Sequence, residues 1–269
     1  MQKNKLKALW SNGQPILNGW CSIGNSFTAE IMAAQGYDSV TVDIQHGALD
    51  YSDVLPMFQA MQSSGATLMA RVPWRDPGYI MKALDVGAMG IICPMINNSE
   101  EAAEFISYMR YPPLGQRSFG PTRVAVSVPD YGVEANDEVL AFAMIETADG
   151  VQNLEAIAAT AGLDGIYVGP ADLTLGTQLG RLAPGLDRTE DEMVTLIQKV
   201  ASVCKEYGLI AGIHCGTAEY ASKAIGWGYN LTTIGGDTRL LASAAAASVS
   251  SWRKLTGRKE KAQVTGGVY

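Results

Sequence analysis

Cysteine and histidine are scarce in this chain of 269 residues. Four cysteines occur, and none of them form a Cys-x-x-Cys pair. A chain of this length can bury enough apolar surface to fold without disulfides, so we expect a reduced, cytoplasmic protein. The missing Cys/His cluster argues against a structural zinc site. The two histidines, His46 and His214, are the only candidates for the imidazole base that catalysis near neutral pH commonly uses.

Long apolar runs and excess positive charge are absent too. No segment approaches the length that crosses a bilayer, and the basic N-terminus resembles an amphipathic helix, so we expect neither a membrane anchor nor a secretory signal. The formal net charge of −7 argues against nucleic acid or an anionic membrane as the main partner. With 47% hydrophobic residues, the length suits one large α/β domain or two small ones.

Short apolar runs alternate with helical stretches along the whole chain. The runs predict eight strands, at residues 16–21, 39–43, 67–72, 90–94, 141–146, 165–168, 210–214 and 231–235. Most of them follow a helical stretch that ends in a glycine suited to a helix C-cap. Eight such units predict a (β/α)8 TIM barrel over residues 1–256, followed by a polar tail at 257–269. A doubly wound open sheet is the alternative, but no Gly-x-Gly-x-x-Gly motif follows a strand.

Two segments interrupt this alternation. Residues 111–138 are rich in proline, glycine and arginine, and residues 176–187 are rich in glycine. We predict a loop in each of them. A connection as long as the first is usually functional or disordered in a compact fold.

Glu146 and Asp172 stand at the ends of two neighbouring predicted strands. A helical stretch at residues 150–161 joins these strands, so they form a parallel βαβ unit whose C-terminal edge carries both carboxylates. Two carboxylates brought together repel each other unless a cation lies between them. This favours an open, all-oxygen site for Mg²⁺, Mn²⁺ or a similar hard cation. Each residue alone would also suit a helix N-terminus, which is the alternative interpretation.

Other polar side chains end strands on the same predicted face. His46 follows the second strand with Asp43 close by, and Arg71 lies in the third, where a guanidinium suits a carboxylate or an oxyanion. His46 is the candidate general base, with a turn or packing role as the alternative. Arg71 could instead be the structural partner of Asp43, or serve both purposes. For His214 we favour a packing role.

The turn before Asp172 and the distribution of lysine bear on the chemistry. Backbone N–H groups of Gly169, Ala171 and Asp172 can hold a carboxylate, whereas Pro170 has no N–H to offer. Lysine is absent from every predicted strand. A Schiff-base mechanism in a barrel needs a buried strand lysine, so we expect a metal to supply the electrophile.

Several motifs together resemble one protein family. They are Val42-Asp43-Ile44-Gln45-His46, Arg71-Val72-Pro73-Trp74-Arg75-Asp76-Pro77, Leu84-Asp85-Val86-Gly87-Ala88, Arg110-Tyr111-Pro112-Pro113-Leu114-Gly115-Gln116-Arg117, Ile145-Glu146-Thr147 and Gly165-Ile166-Tyr167-Val168-Gly169-Pro170-Ala171-Asp172-Leu173. Over residues 19–240 the chain resembles the HpcH/HpaI aldolases, metal-dependent class II pyruvate aldolases that act on 4-hydroxy-2-oxo acids. The resemblance implies a (β/α)8 barrel. It also implies a hexamer built of dimers that exchange the last helix, here the alanine-rich stretch 240–249.

The resemblance further implies a role for each matched residue. Glu146 and Asp172 would hold a divalent metal ion, Mg²⁺, Mn²⁺ or Co²⁺. Arg71 would hold the keto acid and stabilise its enolate. His46 would be the base, oriented by Asp85 of the same or of a neighbouring subunit.

The resemblance also implies which residues form the substrate pocket. The turn Gly169-Pro170-Ala171-Asp172 would bind the pyruvate carboxylate through its backbone, and Trp20 would line the pocket. Three residues depart from the family pattern. Gln45 stands where many members have an acidic residue, Met144 stands where a glutamine is common, and His214 lies at a strand end where no histidine is expected. These departures bear on the aldehyde partner and leave the metal–pyruvate chemistry in place.

The implied reaction is reversible aldol cleavage of a 4-hydroxy-2-oxo acid. Its products are an aldehyde and pyruvate, or a pyruvate-like keto acid such as hydroxypyruvate. Decarboxylation of oxaloacetate passes through the same enolate and is one alternative. An acyl-CoA lyase of the citrate lyase β type is another, but it would want a basic nucleotide-binding surface that this acidic chain does not indicate. A non-catalytic keto-acid sensor would tolerate loss of site residues, yet the full set is retained.

Overall fold

Eight parallel strands close into a barrel in the computed structural model, which describes residues 3–259 and, at position 133, the backbone alone. Each strand pairs with the next one along the chain, and β1 closes the ring by pairing with β8. The strands are β1 (Ile16–Cys21), β2 (Ser39–Asp43), β3 (Thr67–Arg71), β4 (Gly90–Cys93), β5 (Leu140–Ile145), β6 (Gly165–Val168), β7 (Ile210–Cys215) and β8 (Leu231–Ile234). The predicted barrel is confirmed, and the doubly wound alternative is wrong.

Helices precede the first strand and connect or follow the others. They are α1 (Lys5–Ser11), α2 (Ser26–Ala33), α3 (Tyr51–Met61), α4 (Pro77–Asp85), α5 (Ser99–Met109), α6 (Val124–Ser127), α7 (Tyr131–Glu138), α8 (Ala148–Gln152), α9 (Leu154–Ala158), α10 (Pro170–Gln178), α11 (Asp191–Glu206), α12 (Ala218–Gly226) and α13 (Asp237–Thr256). A short 3₁₀ turn, Gln62–Ser64, follows α3.

The predicted strands need small corrections and the predicted loops need larger ones. Three strands have their predicted bounds, four differ by one residue at one end, and β5 begins and ends one residue earlier than predicted. The helix predicted at 150–161 is broken, because Asn153 leaves the helical region between α8 and α9 with φ −96° and ψ 13°. The loop predicted at 176–187 begins later, since α10 continues to Gln178. The segment 111–138 carries α6 and α7 in its second half.

Side chains that alternate along the strands build two apolar layers. One layer fills the barrel itself with residues such as Met69, Ile92, Phe142 and Tyr167. The other, larger layer lies between the strands and the surrounding helices. The barrel is therefore a packed core, and functional side chains have room only at its two ends.

The N-terminal helix closes one end of the barrel. Leu6 of α1 is fully buried and belongs to the interior cluster, next to the beginnings of the strands. Asn4 anchors this helix, because its side chain donates hydrogen bonds to the carbonyls of Met89 (2.9 Å) and Glu138 (2.8 Å). The open end is thus the one formed by the C-terminal ends of the strands, called the mouth below.

The C-terminal helix contrasts with the others in how little of it is buried. On α13 the first residue, Asp237, is buried, while Leu241 and Leu255 are 63% and 84% exposed. No helix within residues 3–259 is long and apolar enough to cross a membrane. The polar tail predicted after the barrel lies, from residue 260 onward, outside the described residues.

Candidate active site

A buried ion pair between Asp43 and Arg71 forms the centre of the mouth. The two residues are paired across β2 and β3, and each is 1% exposed. Arg71 donates from Nε to Asp43 Oδ1 at 2.8 Å and from Nη2 to Oδ2 at 2.6 Å, a bidentate contact. Burial alone would raise the pKa of the Asp43 carboxyl, but the Arg71 charge and hydrogen bonds outweigh it and hold the pKa below its usual value. The guanidinium is therefore fixed in one orientation.

Trp20 lies against this ion pair. Its indole N–H donates to Asp43 Oδ2 at 3.2 Å, and Arg71 Cζ lies 4.9 Å from the centre of its ring. Arg71 Nη1 also lies 4.0 Å from the sulfur of Met144, a residue expected from the sequence resemblance to differ from the family pattern. Trp20 is 2% exposed, so it supports the pair from inside the barrel and offers little surface to a ligand.

His46 follows β2 and is exposed at the mouth. The backbone N–H groups of Gln45 and His46 both donate to Asp43 Oδ1, at 3.1 and 3.3 Å. Gly47 completes the turn, since a side chain there would meet the Asp43 carbonyl oxygen at 2.2 Å. Asp43 thus holds Arg71 and the backbone of the candidate base at the same time. The sequence places Asp43 beside both residues but does not reveal this dual role.

Glu146 directly follows β5 and is buried, with 2% exposure. Its Oε1 accepts a hydrogen bond of 2.8 Å from the backbone N–H of Met95. Met95 has φ +57°, a left-handed conformation that residues other than glycine seldom adopt. Burial and the nearby Asp172 charge raise the pKa of the Glu146 carboxyl to about 7, against the lowering effects of the Met95 hydrogen bond and the Arg71 charge. The structure therefore brings the two predicted carboxylates near each other.

The turn Gly169-Pro170-Ala171-Asp172 forms the start of α10, beside Glu146. A Cβ atom at Gly169 would lie 2.9 Å from Glu146 Oε2 and 2.4 Å from Met144 Cε, so a side chain there would displace the ends of both residues. Asp172 lies in the first turn of α10 and is half-buried. Its position agrees with both sequence interpretations, a helix N-terminus and a metal ligand.

Asp85 is the predicted site residue that the single chain does not bring to the mouth. It ends α4, and its Oδ1 accepts a hydrogen bond of 2.6 Å from Arg117 Nη2. Arg117 in turn lies over the rings of Tyr111 and Tyr131, with its Cζ 4.5 and 5.4 Å from their centres. This cluster lies where the chain returns to the beginnings of the strands. A contact between Asp85 and His46 would need a second subunit, and it stays a prediction.

His214 ends up inside the mouth, with 7% of its surface exposed. Its ring meets the Trp20 indole edge-on at 4.8 Å between centres, and its Nδ1 lies 3.3 Å from the hydroxyl of Tyr167. The packing role favoured from sequence is real but incomplete, because the ring also belongs to a buried hydrogen-bond network. Tyr167 and Met95 are participants that sequence reasoning missed.

The donor set for a cation consists of two carboxylates. In the described part of the chain, no group of three or more His, Cys, Asp or Glu side chains is arranged to hold a metal. Glu146 and Asp172 lie near each other, and Gly169 leaves space beside Glu146 Oε2. Such a set fits a hard cation whose other positions are taken by water or substrate.

Comparison with known proteins connects this geometry to a family. Residues 19–244 match the family model described as HpcH/HpaI aldolase/citrate lyase. The chain is 37% identical over 253 residues to a hydroxypyruvate/pyruvate aldolase of Rhizorhabdus wittichii, covering 94% of this chain and 100% of the relative. It is 32% identical over 249 residues to a 4-hydroxy-2-oxo-heptane-1,7-dioate aldolase of Escherichia coli, covering 91% and 93%.

A solved structure agrees with these relatives. The crystal structure of an HpcH/HpaI aldolase/citrate lyase family protein from Burkholderia cenocepacia superposes with a TM-score of 0.85 at 31% identity, covering 93% of this chain and 100% of that one. The resemblance read from the sequence motifs is confirmed, and so is the predicted enzyme class, a carbon–carbon lyase of the aldolase type. The chain belongs to the HpcH/HpaI aldolase/citrate lyase family.

Proposed function

We propose that this protein catalyses divalent-metal-dependent, reversible aldol cleavage of a 4-hydroxy-2-oxo acid to an aldehyde and pyruvate or hydroxypyruvate. The observation that carries the proposal is the fixed Arg71 guanidinium in a mouth that also holds the Glu146 and Asp172 carboxylates. Support also comes from the relatives, whose names describe aldolases of keto acids of this kind.

Glu146 and Asp172 would hold the metal ion, and Mg²⁺, Mn²⁺ and Co²⁺ all suit oxygen ligands of this type. When bound, such an ion would act as a Lewis acid towards the keto group of the substrate. Met95 supports this role, because its N–H occupies one oxygen of Glu146 and orients the other. Gly169 supports it as well, since its missing side chain leaves that second oxygen accessible.

Groups of the chain itself would bind the substrate carboxylate, stabilise the enolate and transfer the proton. Backbone N–H groups at residues 169–172 would hold the substrate carboxylate at the start of α10, where a helix N-terminus favours negative charge. Arg71 would stabilise the negative charge that develops on the keto oxygen, and its bond to Asp43 keeps it from moving as the charge forms. His46, exposed at the mouth, would take the proton from the C4 hydroxyl.

Loss of the C4 hydroxyl proton to His46 lets the C4–O bond become a carbonyl while the C3–C4 bond breaks. The bonding electrons pass to C3 and C2 and form the enolate beside Arg71. Protonation of C3 releases pyruvate. Decarboxylation of oxaloacetate would use the same enolate, so the same groups support it as a side reaction.

We also propose a hexamer whose dimers exchange α13. What supports the exchange is the exposed apolar side of this helix, which includes Leu241, Trp252 and Leu255. An assembly would also give Asp85 a route to a neighbour's mouth. A cytoplasmic location rests on the cysteines, all four of which are buried free thiols.

Exchange of the pyruvate methyl protons for deuterium tests the proposal without knowledge of the aldehyde. Protein and pyruvate are incubated in D2O with Mg²⁺, Mn²⁺ or Co²⁺, and the methyl signal is followed by proton NMR. We expect exchange that requires metal and stops when a chelator is added. No exchange with any metal, from pyruvate or hydroxypyruvate, would contradict the proposal and favour the thioester lyase or sensor.

A further inference from the structure

A row of buried polar side chains crosses the inside of the barrel, where branched apolar residues are usual. Asn18 is at its centre. Its Oδ1 accepts hydrogen bonds from the hydroxyls of Ser39 (2.8 Å) and Thr41 (3.0 Å), and its Nδ2 donates to Thr233 Oγ1 at 2.8 Å. All four residues are fully buried. An amide oxygen only accepts and an amide nitrogen only donates, so Asn18 determines which of its neighbours act as donors and which as acceptors.

The row continues to His214 through Tyr167. Thr233 Oγ1 lies 2.7 Å from the Tyr167 hydroxyl, which lies 3.3 Å from His214 Nδ1. Among the described residues, Thr233 Oγ1 meets only the donating Asn18 amide and the Tyr167 hydroxyl. The one arrangement in which the protons of Thr233 and Tyr167 both find an acceptor here has Thr233 donating to Tyr167 and Tyr167 donating to Nδ1. Nδ1 is then an acceptor, so the ring proton of a neutral His214 lies on Nε2.

His214 is neutral in this environment. Burial, together with the charges of Arg71 and Arg239 and against the opposing charge of Asp43, lowers the pKa of its imidazole to about 3. Near neutral pH the ring is thus a hydrogen-bond donor without charge. It brings no positive charge of its own to the site, as Arg71 does, and it cannot serve as the base while Nδ1 accepts from Tyr167.

The strand register puts His214 in the layer of the mouth. It pairs with Thr233 of β8 and stands two residues beyond Gly212, which pairs with Tyr167. It contacts the Trp20 ring, on which Arg71 lies. Within residues 3–259, Nε2 has no hydrogen-bond partner, although the ring keeps 7% exposure.

We infer that His214 is a specificity-determining residue, which donates from Nε2–H to a hydroxyl on C3 of the keto-acid donor, the class of 3-hydroxy-2-oxo acids. This inference rests on the proposed function, since it assumes that Arg71 holds the keto oxygen at C2. In that pose the neighbouring carbon, C3, would lie on the side of Arg71 where His214 packs against the buried Trp20 ring. A methyl group there leaves the Nε2 donor without a partner, whereas a hydroxyl satisfies it. The relative from Rhizorhabdus wittichii, a hydroxypyruvate/pyruvate aldolase, handles both kinds of donor by name.

Donor selectivity is the first test. The kcat/KM values for hydroxypyruvate and for pyruvate are measured with one aldehyde and one metal, in the wild type, His214→Leu and Ile213→Val. Ile213 is the matched control, because it is buried on the same strand but faces the helices. We expect the hydroxypyruvate-to-pyruvate ratio to fall about tenfold in His214→Leu, the loss of one buried hydrogen bond, and to stay at the wild-type value in Ile213→Val.

The outcomes separate the inference from the proposed function. A folded His214→Leu variant with the wild-type ratio would overturn the inference and leave the proposed function standing. A wild type that turns over neither donor would overturn both. If His214→Leu does not fold, His214→Gln keeps an amide donor in nearly the same place. It should retain a ratio within about threefold of the wild type, and a larger loss would count against the inference.

The tautomer can be measured without any activity. Since the chain has 2 histidines, labelling with ¹⁵N-histidine gives a simple NMR spectrum. We expect His214 to stay neutral with its proton on Nε2 from about pH 5 to pH 9, while an unperturbed imidazole titrates at about 6.5. A proton on Nδ1, or a titration near that value, would overturn the inference.

Discussion

The Asp43→Asn substitution tests how strongly the pair of Asp43 and Arg71 holds the mouth of the barrel together. Oδ1 of Asp43 accepts from Arg71 Nε and from two backbone N–H groups, those of Gln45 and His46. Oδ2 accepts from Arg71 Nη2 and from the indole of Trp20. Asparagine has one oxygen, so in either orientation its NH2 group faces at least two other donors. The variant therefore loses charge and also gains unsatisfied contacts.

The expected loss is large for a single substitution. Removing one partner of a buried ion pair lowers the free energy of unfolding by about 3–5 kcal/mol. Each kcal/mol shifts Tm by about 2–4 °C in a domain of roughly this size, so Tm should fall by about 6–20 °C. Because no side-chain volume is removed, packing cannot account for such a change.

Thermal unfolding followed by circular dichroism measures the effect. The matched control is Asp76→Asn, since Asp76 caps α4 by accepting a hydrogen bond of 3.0 Å from the Tyr79 N–H. Asparagine caps helices about as well as aspartate, so the control should stay within about 0.5 kcal/mol of the wild type. If the Tm of Asp43→Asn falls no further than that of Asp76→Asn, the reasoning about the pair is refuted.

The same pair predicts a pH dependence with a definite sign. Despite burial, Arg71 holds the pKa of Asp43 below its usual value in the folded protein. The contribution of the pair is fully present above the unfolded-state pKa of about 3.9, and it is lost as the pH falls through the lower folded-state value. The difference in Tm between the wild type and Asp43→Asn should therefore shrink below about pH 4.

Five further substitutions test the site and the assembly. Glu146→Ala and Asp172→Ala should each abolish metal binding by calorimetry together with deuterium exchange, and full activity at unchanged metal would contradict their role as ligands. Arg71→Lys should bind metal but lose about 100-fold or more in kcat, because an ammonium cannot make the bidentate contact to Asp43 and face an oxyanion as well. Gly169→Ala should weaken metal binding measurably, since its Cβ would lie 2.9 Å from Glu146 Oε2. Leu241→Glu should shift the protein to smaller species in analytical ultracentrifugation, and an unchanged distribution would argue against α13 as an interface.

Much of the fold was predictable because its signals are local. Each strand is a short apolar run, and glycines such as Gly87 and Gly228 end the preceding helical stretches in the positive-φ conformation that suits a helix end, with φ +113° and +107°. Glu146 and Asp172 could be paired from sequence, because a βαβ unit brings the ends of its two strands to one edge. The break at Asn153 was not predictable, since asparagine occurs inside helices as well as at their ends.

The parts of the site that sequence missed depend on contacts between distant segments. Met95 orients Glu146 through its backbone, which any residue type could provide. The network of Asn18, Tyr167 and His214 joins positions on separate strands, and its direction depends on which hydroxyl donates. For Asp85 the sequence resemblance predicts a contact with His46 that the single chain does not make, because Asp85 is bonded to Arg117 away from the mouth.

In the part of the chain that the structure describes, α1 closes the base of the barrel, and the mouth is the open end through which a ligand exchanges with solvent. Leu6 fills the end of the interior opposite the mouth, and Asn4 holds α1 in place by its hydrogen bond to the Glu138 carbonyl. Water displaced by an arriving keto acid has to leave by the route through which that acid enters. Shortening the N-terminus would then act on catalysis from a distance, by wetting the polar row beneath His214 through a second opening.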